Sequence, residues 1–257
     1  MTVQLAPQHK VGLLVKSPLL LANCTAELLS LCDRDVLGAV VAPEVGGARR
    51  RMRRVIERPG GVLVEVGPGA HSISGLRRLL QSAGDLPVLG RVAAAEPRGA
   101  VRAAVRLEEM GVSGLEVDLQ PDDPDLARRV LAALREGSEL PLLARVPLAE
   151  AVTFARAACD LADALVVAAP PQGLALLAGG EPARAVEVHG PLLYPLILRA
   201  LREVRQTFDL PLVARGGILT AADARAFLAE GASAVEIDSL AIVEPAAVGA
   251  IGRELGV

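Results

Sequence analysis

Tryptophan is absent from this chain of 257 residues and tyrosine occurs once, so alanine, leucine and valine must fill whatever core it builds. The same lack removes the aromatic platforms on which single-stranded nucleic acids stack. Lysine is nearly missing: Lys10 and Lys16 are the only two beside 25 arginines, and Asn23 is the only asparagine. A formal net charge of −3 leaves no basic footprint, so no nucleic-acid partner is expected. Cys24, Cys32 and Cys159 are too few and too scattered for a disulfide framework or a zinc site and are expected as reduced thiols. His9, His71 and His189 share no metal-ligand spacing, so no metal is expected. No apolar run reaches the length of a membrane span, and the opening MTVQLAPQHK lacks a signal-peptide core. The expectation is a cytoplasmic protein with no membrane association.

What the chain does have is apolar residues, 52% of the total, arranged in short unalternating runs. Three segments repeat one pattern: Leu86-Pro87-Val88-Leu89-Gly90-Arg91, Leu140-Pro141-Leu142-Leu143-Ala144-Arg145 and Leu210-Pro211-Leu212-Val213-Ala214-Arg215. Each reads as a turn, a strand buried on both faces, and an arginine at the strand's far end. In parallel α/β folds that end carries the ligand site.

Eight strands are predicted near 18–22, 38–42, 87–92, 114–119, 141–146, 164–169, 211–215 and 234–239. They alternate with helices near 26–32, 71–84, 97–110, 124–136, 148–160, 191–207, 220–230 and 245–255. Eight consecutive βα units predict an α/β fold of the (β/α)8 TIM-barrel type, a single domain over 1–257. Two stretches interrupt the repeat. Around 49–67, Arg58-Pro59-Gly60-Gly61 predicts a small β-hairpin insertion, and its basic run Arg49–Arg54 predicts a solvated face. Residues 170–190, rich in proline, glycine and alanine, predict a long loop over the barrel mouth that ends at His189 as a loop residue.

In the C-terminal third, His189-Gly190-Pro191-Leu192-Leu193-Tyr194-Pro195, then Leu210–Ile218, then Glu230-Gly231-Ala232-Ser233-Ala234-Val235 resemble the dihydroorotate dehydrogenase family. Pro18-Leu19-Leu20-Leu21-Ala22, Gly38-Ala39-Val40-Val41 and Gly114-Leu115-Glu116-Val117-Asp118 continue the match in register over nearly the whole chain, nearest the soluble class 1 branch. The resemblance implies FMN at the barrel mouth and oxidation of dihydroorotate to orotate in pyrimidine biosynthesis. It also implies a base that removes the C5 proton, a lysine beside the flavin, and asparagines that hold the substrate.

Position by position, those groups are replaced. The base falls in a Cys-Pro-Asn stretch of the family; here it reads Pro121-Asp122-Asp123, and the two aspartates read as a helix N-cap. The lysine ending the fifth strand is Arg145, and the one after the second strand is Pro43. The asparagine positions carry Val64, Ala169 and Arg91, and the fourth-strand counterpart of the last is Asp118. A Gly-Gly close to the flavin is Val186-Glu187. The phosphate end survives in part: Gly216-Gly217 keeps a tight turn whose amides suit a phosphate, and Ser239 could donate beside it, whereas Asp238 would repel. Gly216, Gly217 and Ser239 are thus the candidate cofactor contacts should FMN or another phosphate ligand bind; the replacements favour its absence.

Two accounts of the arginines stay open. Arg91, Arg145 and Arg215 pair with Glu65, Asp118 and Asp238 in an ion-pair network that fills the flavin space, or they converge on an anionic ligand. The leading functional expectation is a dihydroorotate dehydrogenase-like pseudoenzyme with no catalytic residues of its own, the non-catalytic companion subunit of an active FMN-containing paralogue in a hetero-oligomer. The alternatives are a working FMN-dependent oxidoreductase with a relocated base, and a binding protein for an anionic metabolite. Tyr194, one turn into its helix, is expected at the mouth or at an interface.

Overall fold

A computed structural model describes residues 2–45, 51–67, 72–93, 95–119, 123–176 and 182–257. Among them, eight parallel strands close into a barrel: β1 (Leu19–Leu21), β2 (Ala39–Val41), β3 (Val88–Ala93), β4 (Gly114–Asp118), β5 (Leu142–Pro147), β6 (Ala164–Ala169), β7 (Leu212–Arg215) and β8 (Ala234–Ile237). Each pairs with its neighbours in sequence, and β8 closes on β1. The helices are α1 (Ala26–Leu29), α2 (Ile73–Ala83), α3 (Pro97–Glu109), α4 (Pro124–Gly137), α5 (Ala151–Ala158), α6 (Tyr194–Thr207), α7 (Ala221–Ala229), α8 (Ser239–Val243) and α9 (Pro245–Leu255). This is the predicted (β/α)8 TIM barrel.

Local chemistry fixes the helix starts. The Ser72, Asp123 and Thr220 side chains accept the orphan N–H groups of Gly75, Leu126 and Asp223, and Thr220 with Asp223 completes a capping box. Asp123 thus carries out the predicted capping role; Pro121 and Asp122 lie outside the described residues, as do Arg49 and Arg50 of the basic run and His71. The first helix is far shorter than its predicted span, with four residues.

The barrel has two apolar cores because strand side chains alternate. One face of each strand packs outward on the helices, around Phe154, Leu201, Val204 and Phe227. The other points inward, where Leu20, Val41, Leu89, Leu143, Val166 and Val213 fill the lower half of the barrel. A ribbon of Val3–Gln4 and Leu14–Val15 plugs the bottom, adding Leu5, Leu13 and Val15 to this inner core.

The predicted loop over 170–190 is corrected. Gln172–Ala175 and Arg184–His189 are strands that join the hairpin Arg51–Arg58 and Gly61–Gly67 in a four-stranded antiparallel sheet outside the barrel. Arg184–His189 pairs with residues 62–65, more than a hundred residues upstream, and Gln172–Ala175 pairs in turn with residues 184–187, so local composition reads as loop while long-range pairing makes sheet. His189 accordingly ends a strand and is buried. The hinge after it depends on Gly190, at φ +134°, where a Cβ would stand 2.5 Å from the Gly61 Cα. Gly190→Ala is expected to cost at least about 2 kcal/mol through backbone strain and overpacking, read as a lower midpoint in chemical denaturation.

Candidate functional site

Two residues above each inner apolar side chain, the same alternation points another side chain into the barrel. Above Leu89 stands Arg91, above Leu143 Arg145, above Val213 Arg215, above Gly114 Glu116 and above Ala234 Glu236. One step higher, at the C-terminal rim, come Asp118 and Asp238. The interior therefore changes from hydrocarbon to a layer of charge, with the cations on β3, β5 and β7 and the anions on β4 and β8.

Glu116 is fully buried at the centre. Its Oε1 accepts from Arg91 Nε at 3.1 Å and Nη2 at 2.9 Å, and from Arg215 Nη1 at 3.1 Å, and stands 3.8 Å from Arg145 Nε. Arg145 forks onto Asp118, with Nε at 3.0 Å from Oδ1 and Nη2 on Oδ2. Arg91 also donates to Asn23, the chain's one asparagine. Arg215 Nη1 lies 3.2 Å from Glu236, and its Nε 3.9 Å from Asp238 Oδ2. His189 reaches in from the outer sheet, Nδ1 at 3.0 Å from Asp238 and Nε2 at 3.4 Å from Glu187.

The carboxylates and cations set one another's ionisation. Burial pushes Glu116 upward, but Arg91, Arg215 and Arg145 outweigh it and hold the group at about 2. Burial, and then the neighbouring Glu116 charge, pushes Glu236 up to about 8. Burial opposes the charged form of His189, yet Asp238 and Glu187 prevail and raise it to about 9. Glu187 is held at about 2 against burial by its hydrogen bond to His189 and the charge of Arg145, and His189 keeps Asp238 below the ordinary carboxylate range. The three arginines and His189 thus hold Glu116, Glu187 and Asp238 in the charged form, while Glu236 is pushed toward its protonated form.

Of the residues picked out in the sequence, Arg91, Arg145, Arg215, Asp118 and Asp238 come together. Glu65 does not, and that expectation is corrected. It pairs in register with Val186, whereas Glu187 pairs with Val64, so period two turns Glu65 to the opposite face, 3.8 Å from Arg184. Glu116, Glu236 and His189 were missed. The signal for the glutamates lay in Leu115-Glu116-Val117-Asp118 and Val235-Glu236-Ile237-Asp238, where each shares a face with the aspartate two residues on. Tyr194 packs edge-to-face on Phe227, ring centroids 5.1 Å apart, on the helical layer.

The Gly216-Gly217 turn is accounted for without a ligand. A Cβ at Gly217, φ +72°, would stand 2.8 Å from the Tyr194 backbone, so the approach of α6 demands glycine. At Gly216 the Asp238 carboxylate fills the approach, and it takes the Ser239 N–H at 2.5 Å that a phosphate would need. A phosphate placed there would meet a buried, ionised carboxylate, so these residues do not fit the FMN phosphate. Beside the network a cavity of about 680 Å³ opens between the ends of β4–β6 and α6, lined by Asp118, Arg145, Pro147, Glu187, Leu196 and Arg199 among others.

The ionisation pattern predicts a pH profile of stability. Glu116 and Glu187 lie lower in the fold than in the unfolded chain, so their contribution is present above pH 4.5 and lost as pH falls toward about 2. Glu236 and His189 lie higher in the fold; their contributions are complete below pH 4.5 and 6.5 and lost as pH rises through about 8 and 9. Stability is expected to peak between these limits and to fall on the alkaline side. Glu236→Gln, which keeps a neutral group in place, is expected to flatten the fall up to pH 8 and to cost under about 1 kcal/mol at pH 7. Glu116→Gln removes the one carboxylate charge that three arginines share and is expected to cost about 3–5 kcal/mol. Urea titrations across the pH range check both.

The dihydroorotate dehydrogenase family model matches residues 114–256. The chain is 30% identical to the protein of Desulforudis audaxviator named dihydroorotate dehydrogenase B (NAD(+)), catalytic subunit, over 95% of this chain and 89% of that one. It is 29% identical to the protein of that name from Pelobacter propionicus, over 96% and 89%, and 28% identical to that of Bacillus cytotoxicus, over 95% and 88%. With a model match over more than half its length and relatives aligned nearly end to end, this chain belongs to the dihydroorotate dehydrogenase family.

Proposed function

We propose that this protein is a non-catalytic member of its family that serves pyrimidine biosynthesis as the companion subunit of an active, FMN-containing dihydroorotate dehydrogenase paralogue. The observation that carries this reading is the charge layer itself: Arg91 and Arg145, at the positions where the family resemblance implies a flavin-contacting asparagine and a lysine, are both spent on carboxylates, Arg91 on the buried Glu116 and Arg145 on Asp118. Pro121, at the base position that the resemblance implies, has no accepting side chain, and Asp123 is committed to the N-terminus of α4. Nor is a lysine at hand. Lys10 pairs with Glu139 near the start of β5, at the opposite end of the barrel, and Lys16 precedes β1.

Two features support a companion role. The barrel and the outer sheet are complete although the residues of the reaction are replaced. Leu174 and Leu176 at the edge of the outer sheet, and Leu192 and Leu196 at the start of α6, are large apolar side chains left exposed. The relatives are named as catalytic subunits, which are parts of assemblies, and a duplicate of such a subunit can become the inactive member of a heteromer. The anionic-metabolite reading finds less support. Both arginines that line the 680 Å³ cavity are engaged, Arg145 by Asp118 and Arg199 by Glu203 at 2.8 Å.

The purified protein is expected to be colourless, to stay so after incubation with FMN and gel filtration, and to co-purify with the tagged catalytic paralogue at micromolar concentration. A yellow preparation that reduces with dihydroorotate would establish the flavoenzyme alternative instead. Absence of any complex with the paralogue would remove the companion role.

A further inference from the structure

The carboxylate of Asp238 is gripped by groups from three separate parts of the chain. Ser239 N–H donates to Oδ1, and His189 Nδ1 lies 3.0 Å from Oδ2. Arg215 Nε stands 3.9 Å from the same oxygen and has no hydrogen-bond partner among the described residues. Gly216, at φ +89°, lies against the same oxygen, 3.5 Å from where a Cβ would stand. Asp238, Ser239, His189 and Arg215 are each at least nine-tenths buried. Such a ring of donors with a guanidinium and an imidazole on one side is what a small oxyanion requires.

We propose that His189, Arg215 and the Ser239 amide form a buried binding site for a small monovalent carboxylate, and that in the native chain its occupant is the protein's own Asp238. The tethered carboxylate has no translational freedom to lose, so a free anion cannot displace it. Single charge follows from the surroundings. Arg215 is shared with Glu116 and Glu236, His189 meets Glu187 on its other nitrogen, and removal of Asp238 leaves the cluster one negative charge short. Size follows from the tether: truncation to alanine vacates the volume of one carboxylate. Formate matches that volume, and acetate exceeds it by a methyl group. Phosphate is too large and too highly charged, so the self-occupied site closes the Gly216-Gly217 turn to phosphate ligands. This inference is independent of the companion role, whose own tests are colour and co-purification.

Asp238→Ala is the test, in urea titrations at pH 6 with sodium formate, sodium acetate or sodium sulfate, each referred to the native protein in the same salt. The variant is expected to unfold at lower urea than the native chain, and formate is expected to restore at least half of the lost midpoint in a saturable way. Sulfate should act equally on both proteins, and acetate should rescue less than formate. Asp238→Asn, which fills the space with a neutral amide, should be weakened and insensitive to formate. If Asp238→Ala is insoluble, refolding with formate should recover soluble protein where sulfate does not. A variant as stable as the native chain, a response to formate no greater than that of the native chain or of Asp238→Asn, or no recovery on refolding in formate would each overturn the proposal.

Discussion

A single oxygen, Glu116 Oε1, lies within 3.8 Å of nitrogen atoms from three arginines on three different strands, and the upper half of the barrel is organised about it. Three guanidinium groups this close repel one another strongly in a medium of low dielectric constant. One carboxylate cannot neutralise them, so each needs a further acceptor at its outer edge. Arg145 finds Asp118, Arg215 finds Glu236 and Asp238, and Arg91 finds Asn23. The period of two supplies these partners. Neighbouring strands β3, β4 and β5 present positive, negative and positive side chains to the interior, and β7 with β8 repeats the alternation.

The same arithmetic of charge reaches beyond the barrel. The four-stranded sheet meets the network through His189 on Asp238 and through Glu187 on His189, and the charge of Arg145 bears on Glu187. Arginine pairs also bridge the outer helices, as Arg128 does to Asp160 and Arg202 to Glu230, but those are half-exposed and contribute little each. The buried pairs differ because no water replaces a lost partner. Position within the barrel, rather than the chemistry of the pair, decides which arginines matter.

Most of the barrel was legible in the sequence, because a strand buried on both faces leaves an apolar run that composition alone reveals. Arg91, Arg145 and Arg215 were legible for the same reason, each a lone charge closing such a run. Glu116 and Glu236 obey the same rule, yet they interrupt their runs rather than close them, and an isolated strand does not tell which face turns inward. Glu65 was misplaced because facing in the outer sheet depends on its register with Val186, a partner 121 residues away. Arg184–His189 was hidden by that same distance, since it bonds to the hairpin, and Gln172–Ala175 becomes a strand only by pairing with it; neither carries a strong strand pattern alone.

A dry apolar plug would fill the upper half of the barrel interior as well as this network does. Replacement of buried ion pairs by well-packed hydrocarbon is often neutral or stabilising, so stability alone is a poor explanation for the charges. What an apolar plug could not do is satisfy the buried His189 on both ring nitrogens, since Nδ1 faces Asp238 and only Nε2 would keep its partner Glu187. Conversion of the layer to hydrocarbon would therefore require simultaneous change in β3, β4, β5, β7, β8 and the outer sheet. Replacement of a single ionised member strands its partner at a cost of several kcal/mol, about half the net stability of an ordinary domain, whereas Glu236 can be exchanged for a neutral amide at little cost. The network is held by the interdependence of its members: loss of an ionised member unpairs its neighbours, and while they stay the outer sheet is bound to the barrel through His189 and Asp238.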